Sequence, residues 1–338
     1  MNDEAPNDII WLITGRCNLN CIHCYANTYR NEEELDTIEV LKIVEDAAKV
    51  GVEHVHYTGG EPLIRRDMIQ ILKETIDLGL YATLFTNLTA IKPDVAKELG
   101  KLGIVIYTSM DGHNKELYEM HRGKGTWNRF LKGFSLVKKE GLHIHVNISI
   151  TELNWNYAGD VVSKAIEIGA ESVSIIPAMP SGNAMKNNVY VRSEHFVKAL
   201  EDVNAKAREL GITIWVWCAP FVGAILRSPY IKYGNCRYWD VMDISPSGRV
   251  ILCDVLNYEI CNVKELGIRR AWHTLKEHPL MKKIMRPNLK EPCNKCPFSN
   301  YCKGGCYARA YIKYGSIEMP DPLCPIVAGL KLSDITFH

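Results

Sequence analysis

The sequence predicts an α/β protein in which parallel strands alternate with helices, followed by a cysteine-rich C-terminal part. Residues 9 to 176 alternate short apolar runs with longer amphipathic stretches, as repeated strand–helix units do. Beyond residue 218 this alternation ends, and Cys, Pro and short turns become frequent. The 338 residues, 47% hydrophobic and 23% charged, are enough to bury the cores of one to two domains.

Six strands and the helices between them can be read from the apolar patterns. The strands are IIWLIT, HVHY, YATLFT, IVIYTS, HIHVNISI and SVSIIP. The first helix is expected to begin at a cap, Thr37, and to end at Gly51, with apolar residues at three- and four-residue spacing. Parallel strands joined by helices form a closed barrel or an open doubly wound sheet. In both, ligands collect at the carboxyl ends of the strands.

The charge balance and the absence of long apolar runs restrict the class of protein. Lys and Arg number 40 against 39 Asp and Glu, which argues against a strongly basic nucleic-acid-binding surface. The first eight residues are polar, and there is no run of about 18 uncharged apolar residues, so neither a signal peptide nor a membrane span is predicted. We therefore expect a soluble, cytoplasmic protein whose 12 cysteines are reduced thiols available to metals.

The first cysteine group is Cys17, Cys21 and Cys24, directly after the first predicted strand. Three thiolates at this spacing can reach three irons of a cubane cluster and leave the fourth iron without a protein ligand. A zinc site is the alternative, but structural zinc takes four ligands. His23 lies between two of the cysteines, where its ring should point away from them.

This arrangement of Cys, three residues, Cys, two residues and Cys resembles the defining motif of the radical S-adenosylmethionine superfamily. Thr58 to Pro62, after the second strand, resembles the GGEP segment of that family. The resemblance implies that Gly59, Gly60 and Glu61 contact the amino group of the cosubstrate. Glycines allow a close backbone approach and a carboxylate suits an ammonium, although a Gly-Gly pair alone can be a purely structural turn.

Two further segments resemble the family's cosubstrate contacts. Ser109 and Asp111 lie in SMDG after the fourth strand, like the family's SxDG segment. Arg122 occupies the region where relatives place an arginine that pairs with the methionine carboxylate; a surface Arg near a helix start is the alternative. Asn147 and Asn154 could contact the ribose or be ordinary polar residues at a strand end.

One segment departs from the family pattern. Thr86-Asn87-Leu88, after the third strand, stands where relatives commonly have Thr-Asn-Gly, and it is assigned no role.

The second cysteine group lies beyond residue 217 and resembles the SPASM extension of radical enzymes. Its sequence CNKCPFSNYCKGGC reproduces that extension's spacing of two, five and three residues. The resemblance implies two auxiliary clusters, with two zinc sites as the alternative. The implied distal ligands are Cys293, Cys296, Cys302 and Cys324, and the implied proximal ligands are Cys236, Cys253 and Cys306.

Either Cys218 or Cys261 could be the fourth ligand of the proximal cluster. Cys218 ends an apolar strand some distance before Cys236, as in relatives resembling the pyrroloquinoline quinone maturase, and is favoured. Free cysteines are often only small buried apolar residues, so an open iron that meets substrate is a third possibility.

Taken together, the resemblance implies a partial (β/α)6 TIM-like barrel over residues 1–215 and a SPASM domain over residues 216–338. It implies three 4Fe-4S clusters, S-adenosylmethionine, and an electron donor such as flavodoxin or ferredoxin. The implied reaction begins with reductive cleavage to a 5′-deoxyadenosyl radical, which abstracts hydrogen from a peptide or protein side chain.

Other substrates and another class of protein stay open. The segment IPAMPSGNA and the chain length resemble a branch that oxidises tetrapyrrole side chains, and another small molecule is also possible. A non-catalytic iron–sulfur electron carrier or assembly factor is the hypothesis from another class. Such a carrier would not need GGEP, SMDG and an open iron together.

Overall fold

The computed structural model describes residues 4–238 and 240–330, which are built around one 11-stranded sheet. Its strands are β1 (Asp8–Thr14), β2 (His54–Gly59), β3 (Tyr81–Phe85), β4 (Val105–Ser109), β5 (Ile144–Ile150), β6 (Ser172–Pro177), β7 (Ile214–Val216), β8 (Ile231–Tyr233), β9 (Val241–Ile244), β10 (Arg249–Ile251) and β11 (Glu259–Asn262). All six predicted strands are present.

The helices lie between and after these strands. They are α1 (Thr37–Val50), α2 (Met68–Asp77), α3 (Pro93–Lys101), α4 (Lys115–Arg122), α5 (Thr126–Lys139), α6 (Ala158–Ile168), α7 (Gly182–Lys186), α8 (Ser193–Leu210), α9 (Val222–Ile225), α10 (Val263–Glu277), α11 (Pro279–Met285), α12 (Ser299–Cys302) and α13 (Tyr307–Tyr314). In the described part of the chain, no helix is long and apolar enough to cross a membrane.

The strand order is β11-β10-β9-β1-β2-β3-β4-β5-β6-β7-β8, so the sheet is open between β8 and β11 in the described residues. Strands β1 to β8 are parallel to their neighbours. This confirms the predicted α/β class with a partial barrel. Strand β9 pairs in parallel with β1, and β10 and β11 add an antiparallel hairpin at that edge. The C-terminal part therefore continues the same sheet, and residue 215 lies inside β7.

The first helix shows how local sequence sets the ends of these elements. The Asp36 carboxylate accepts the Glu39 amide at 2.9 Å, and the Glu39 carboxylate accepts the Asp36 amide at 3.0 Å, which is a capping box. The predicted cap, Thr37, is instead the first helical residue, and its hydroxyl donates to Asp67 at 2.8 Å. The helix ends at Gly51 as predicted, with a φ of +89° that favours glycine.

The two faces of the sheet differ in composition. One set of alternating residues, such as Trp11, Val55 and Ile106, is buried in the apolar core. Fully burying an aliphatic side chain contributes about 1.5–3 kcal/mol, so this face holds the sheet against the helices. The alternate residues are more polar and aromatic, such as His56 and Tyr107, and they line the inner face. That inner face leads to the carboxyl ends of the strands.

Candidate metal centres and cosubstrate site

The loops after β1 and β2 come together at the carboxyl end of the sheet. The Gly60 amide donates to the Thr14 carbonyl at 2.7 Å, and the Glu61 amide donates to the Arg16 carbonyl at 2.8 Å. A Cβ atom on Gly60 would lie 2.0 Å from the Arg16 oxygen, and Gly59 has a φ of +122°. Both glycines are thus required for the second loop to reach the backbone of the first cysteine loop.

The first cysteine loop holds three thiols near one another. Burial, followed by the neighbouring thiols of Cys21 and Cys17, raises the pKa of Cys24 to about 11. Burial also raises the pKa of Cys17 and of Cys21. The Leu19 amide donates to the Cys17 sulfur at 3.4 Å. Without a cation these buried thiols would stay protonated, and a metal that takes thiolates would offset that cost.

Cationic side chains lie beside the same thiols. Arg122 is the cation that acts most strongly on Cys21, where it opposes the effect of burial on the thiol pKa. The Arg30 guanidinium donates to the Cys17 carbonyl at 3.3 Å and to Asn20 at 3.1 Å. Positive charge near a thiol favours the thiolate, which is the form that binds metal.

Arg122 forms a buried ion pair with Asp111. Its Nε and a terminal nitrogen lie 2.8 and 2.6 Å from Asp111 Oδ2, and the side chains are 7% and 0% exposed. Burial raises the pKa of Asp111, but Arg122 and then His23 outweigh it and lower that pKa to about 2. Arg122 ends α4, so it is not a surface residue near a helix start. The pair holds a cation close to Cys21.

His23 lies against Asp111. Its Nε2 is 3.3 Å from Asp111 Oδ2, and burial lowers the pKa of the imidazole to about 3. The ring therefore lies against Asp111 as a neutral group. Its Nδ1 has no hydrogen-bond partner among the described residues.

Glu61 is held by a segment to which the sequence pattern assigned no role. Its buried carboxylate accepts the Thr86 hydroxyl at 2.7 Å and the Asn87 amide at 2.7 Å. The Asn87 side chain donates to Asn18 at 2.9 Å, and its amide nitrogen is 3.9 Å from the Cys17 sulfur. Leu88, at the position where the sequence resemblance predicts a glycine, has a φ of +58°, the region that favours glycine. A polar pair directly after a strand was the available signal.

The two asparagines proposed near the ribose have different surroundings. Asn154 is fully buried, and its side chain donates to the carbonyls of Asp111 and Ser149, both at 2.9 Å. It therefore fixes the loop that carries Asp111. Asn147 accepts the Ser174 hydroxyl at 3.0 Å and is only partly buried. Ser109, at the end of β4, pairs with Asn147 in the sheet and is also partly buried.

A helix after the sixth strand packs on the first cysteine loop. The Asn183 amide donates to the Cys24 carbonyl at 2.9 Å, and its side chain donates to the Cys21 carbonyl at 2.9 Å. A Cβ atom on Gly182 would lie 2.5 Å from the Cys24 oxygen. The segment IPAMPSGNA, which contains both residues, therefore orders the backbone of this cysteine loop.

A second cysteine group is buried in the C-terminal part and includes Cys218. Burial, then the thiols of Cys306 and Cys236, raises the pKa of Cys218 well above its usual value. Burial, then Cys306, raises the pKa of Cys236 to about 12. Burial also raises the pKa of Cys253, with Cys306 among the further causes. Cys306 is thus the thiol that raises the pKa of each of the other three.

A buried ion pair connects two members of this group. Arg309 and Asp321 lie 2.8 Å apart and are 3% and 0% exposed. Arg309 also donates to the Cys218 carbonyl, and Asp321 accepts the Cys306 amide at 2.9 Å. Cys218 has a φ of +54° just beyond β7. The pair therefore fixes a strained backbone that directs Cys218 toward the group.

A third cysteine group is formed by the remaining predicted ligands. Burial, then Cys296, raises the pKa of Cys293 to about 11. Burial, then Cys324, raises the pKa of Cys302, and Cys293 also acts on it. The Cys296 amide donates to the Cys293 carbonyl at 3.2 Å in a tight turn. The four thiols therefore lie in one connected group.

Cys261 lies apart from these groups. Burial and then the carboxylates of Glu259 and Glu265 raise its pKa to about 11, and in the described residues no thiol contributes. Its sulfur lies 3.8 Å from the Ala271 carbonyl. Of the two candidates for the fourth ligand, only Cys218 is placed among the other thiols.

Hydrogen bonds connect the first cysteine loop to the second group. Tyr25, which follows Cys24, donates to the Asp254 carboxylate at 2.5 Å. Tyr29 donates to the Asp254 carbonyl at 2.6 Å. Asp254 follows Cys253, so the two cysteine-bearing segments are held at a fixed separation.

Aromatic rings cover much of the inner face of the sheet. The contacts, with the separation of the ring centroids, are His54 with His56 at 4.1 Å, Phe85 with Tyr107 at 4.7 Å, Tyr107 with His145 at 4.2 Å, and Trp215 with Trp217 at 5.1 Å. Stacked rings present flat apolar surface together with polar edges. This face suits a substrate that itself contains flat or apolar groups.

An open groove of ≈ 420 Å³ lies at the β7–β8 edge. It is lined by Trp215, Trp217, Tyr233, Gly234, Asn235, Tyr238 and Tyr301. Trp217 precedes Cys218 and Asn235 precedes Cys236, so the groove adjoins the second cysteine group.

The sequence of the chain is similar to a known family model and to known proteins. The family model described as the radical SAM superfamily matches residues 11–165. The AdoMet-dependent heme synthase of Methanosarcina barkeri is 27% identical, over 97% of this chain and 99% of its own length. The PqqA peptide cyclase of Methylocella silvestris is also 27% identical, over 94% of this chain and 87% of its own length.

Solved structures share the fold over nearly the whole chain. Native anSMEcpe with bound AdoMet and Cp18Cys peptide has a TM-score of 0.77 and 19% identity, covering 97% of this chain and 98% of that one. SuiB of Streptococcus suis has a TM-score of 0.75 and 21% identity, covering 95% and 77%. At these identities the likeness concerns the fold.

Proposed function

We propose that the chain is a radical S-adenosylmethionine enzyme and that it abstracts hydrogen from a peptide or protein side chain held beside a second, four-cysteine metal centre. The observation that carries this proposal is the meeting of the first cysteine loop, the Gly59–Glu61 loop and the Asp111–Arg122 pair at one end of the sheet. An electron carrier would need the thiols alone.

We assign a 4Fe-4S cluster to Cys17, Cys21 and Cys24. The fit rests on three buried thiols near one another, with Arg122 and Arg30 beside them. When bound, the cluster supplies the electron that cleaves S-adenosylmethionine into methionine and the 5′-deoxyadenosyl radical. The chain's own residues would bind S-adenosylmethionine, orient it and exclude water from the site.

The cosubstrate contacts follow from charge and position. Glu61 offers an anionic group for the amino group, and Thr86 and Asn87 fix the carboxylate that does so. Arg122 offers the remaining nitrogen of its guanidinium, Nη1, to the carboxylate of the cosubstrate, while Asp111 fixes the orientation of that guanidinium. Gly59, Gly60 and Ser109 complete the proposed contacts at the ends of β2 and β4.

The other two cysteine groups would hold auxiliary 4Fe-4S clusters, giving three in all. The proximal ligands would be Cys218, Cys236, Cys253 and Cys306, and the distal ligands would be Cys293, Cys296, Cys302 and Cys324. Four thiols per group suit a closed site. On this proposal residues 1–215 bind the cosubstrate, residues 216–338 carry the auxiliary clusters, and a flavodoxin or ferredoxin supplies electrons.

A peptide substrate is supported by the groove at the β7–β8 edge. Its aromatic lining suits apolar side chains, and an edge strand such as β8 can pair with an extended peptide. Among the relatives, PqqA peptide cyclase is named for a peptide, and SuiB has been solved bound to the precursor peptide SuiA. The groove also adjoins Cys218 and Cys236, so a bound peptide would lie beside the proximal cluster.

A tetrapyrrole is the second candidate because of the stacked rings on the inner face. Phe85, Tyr107 and His145 form a continuous row of aromatic contacts whose exposed edges can pack against the apolar surface of a macrocycle. The heme synthase relative aligns with this chain over nearly its whole length.

Isotope transfer separates the two substrates. The reconstituted, dithionite-reduced protein is incubated with S-adenosylmethionine and either synthetic peptides with deuterated side chains or deuterated Fe-coproporphyrin III. Deuterium in 5′-deoxyadenosine identifies the source of the abstracted hydrogen. If the substrate is a peptide, Trp215→Ala in the groove should reduce the deuterium transferred to 5′-deoxyadenosine. If it is a tetrapyrrole, Tyr107→Ala on the inner face should reduce that transfer. Failure to form any 5′-deoxyadenosine would support the electron-carrier alternative.

A further inference from the structure

We propose that Asp8, His54 and His56 form a binding site for one divalent first-row transition-metal ion, separate from the three cysteine groups. The site lies at the amino-terminal ends of β1 and β2, whereas the first cysteine loop follows the carboxyl end of β1. It does not depend on the proposed substrate or on the number of iron–sulfur clusters.

The register of two parallel strands brings the three residues together. Asp8 and His54 are direct partners in the pairing of β1 with β2. His56 is two residues further along β2, so its side chain lies on the same face as that of His54. The potential ligand atoms of the three side chains all lie within 4.8 Å of one another. Ligands bound at about 2.1 Å to one ion are at most about 4.2 Å apart, so small side-chain rotations would complete the site.

Neighbouring contacts already restrict the side chains. The His54 and His56 rings stack with centroids 4.1 Å apart and an interplanar angle of 22°. His56 Nε2 lies 3.1 Å from Asp8 Oδ1, and His54 Nε2 lies 2.6 Å from the Thr83 hydroxyl. Groups held in this way lose little freedom when an ion binds, and a hydroxyl next to a ligand can orient it.

The donor set selects the class of ion. Two imidazoles and one carboxylate suit Zn²⁺, Co²⁺, Ni²⁺ or Fe²⁺ better than Mg²⁺ or Ca²⁺, which prefer oxygen ligands alone. The Asp8 and His56 side chains are 37% and 24% exposed, so an ion can enter from solvent and water can take the remaining positions. A hydrogen bond between His56 and Asp8 without any ion is the competing explanation.

Cobalt binding to the iron-loaded protein tests the site, because cobalt is distinguished from cluster iron by elemental analysis. Under anaerobic conditions, equilibrium dialysis against micromolar CoCl₂ should give one Co²⁺ per chain, displaced by Zn²⁺ and not by Mg²⁺. The double variant His54→Ala/His56→Ala should lose this cobalt, and Asp8→Asn, which keeps the size of the side chain, should weaken binding at least tenfold. Iron content and circular dichroism verify that each variant retains its clusters and its fold.

Two matched controls locate the binding. His143→Ala removes a histidine outside the cluster, and Cys261→Ala removes the thiol that lies apart from the three cysteine groups. Both should bind cobalt as the unmodified protein does. Absence of bound cobalt in the unmodified protein, unchanged binding in the double variant, or loss of binding in either control would overturn the proposal.

Discussion

The first cysteine loop and the second cysteine group differ in the number of thiols and in the charges around them. The first has three thiols, with Arg122 and Arg30 as the cations that act on them. The second has four thiols; the carboxylates of Asp254 and Asp243 act on Cys253, and the Arg309 cation acts on Cys218 and Cys306. A site short of one ligand leaves an iron free for the amino and carboxylate groups of the cosubstrate, whereas a closed site near carboxylates suits electron transfer at low potential. On our proposal, this difference assigns radical formation to the first loop.

Removing the first loop's ligands should have the largest effect. The change of Cys17, Cys21 and Cys24 together to Ala should reduce 5′-deoxyadenosine formation to background, because the four-cysteine ligand sets proposed for the other two groups would leave no open iron. Iron should fall from about twelve to about eight per chain, since the other ligand sets are separate. Chromatography and iron analysis measure both quantities. Undiminished cleavage would show that the cosubstrate binds elsewhere.

The comparison of Cys218→Ala with Cys261→Ala tests the closed four-thiol group. The first change should open one iron of the proximal cluster and alter its spectrum and reduction potential, with cleavage of S-adenosylmethionine retained. The second should leave the spectrum unchanged because Cys261 is not among the other thiols. The reverse pattern would transfer the ligand role to Cys261.

Breaking the buried ion pair between Asp111 and Arg122 should have an effect of intermediate size on stability and cosubstrate binding. Asp111→Asn leaves Arg122 buried without its anion, which should cost about 3–5 kcal/mol of unfolding free energy. It should also misalign the guanidinium and weaken S-adenosylmethionine binding about 10–100-fold, measured by equilibrium dialysis. Glu167→Gln, at an exposed pair with Lys164, is the matched control and should change stability by no more than about 1 kcal/mol. Equal effects in both variants would show that the buried Asp111–Arg122 pair contributes no more than an exposed pair.

The smallest expected effect concerns contact between the first two loops. Gly60→Ala would place a methyl group 2.0 Å from the Arg16 carbonyl, so the loops must separate, at a cost of about 1–3 kcal/mol. Gly79→Ala provides the control, because a methyl group on Gly79 would meet no atom within 4 Å, although the φ of +83° there favours glycine. Denaturant unfolding measures stability, and cosubstrate affinity should fall only for Gly60→Ala. A larger loss of affinity for Gly79→Ala would contradict the steric explanation.

The sequence predicted the elements that depend on local pattern. Apolar alternation located the six strands β1 to β6, and a glycine directly after the apolar pattern located the end of α1 at Gly51. It did not reveal that β9 would pair with β1, because pairing between distant segments leaves no local period. The support of Glu61 by Thr86 and Asn87 was missed for a related reason. Their contacts depend on the third strand lying beside the second.

The site residues also divide into those that the sequence predicted and those that only the fold revealed. Cysteine spacing suggested the three groups, and the resemblance favoured Cys218 over Cys261. Only the fold placed Cys218 among the other thiols and Cys261 apart from them, although Cys261 is the nearer of the two to Cys253 along the chain. Arg122 was found by its resemblance to relatives, but its pairing with Asp111 required the turn between β4 and α4.

Electron paramagnetic resonance of the dithionite-reduced protein, with and without S-adenosylmethionine, tests the central claim most directly. We predict that the cosubstrate shifts the signal of one cluster and leaves the auxiliary signals unchanged. The variant lacking Cys17, Cys21 and Cys24 should show only the auxiliary signals, and they should not respond to the cosubstrate. A response in that variant, no response in the unmodified protein, or stoichiometric zinc with little iron would contradict the account.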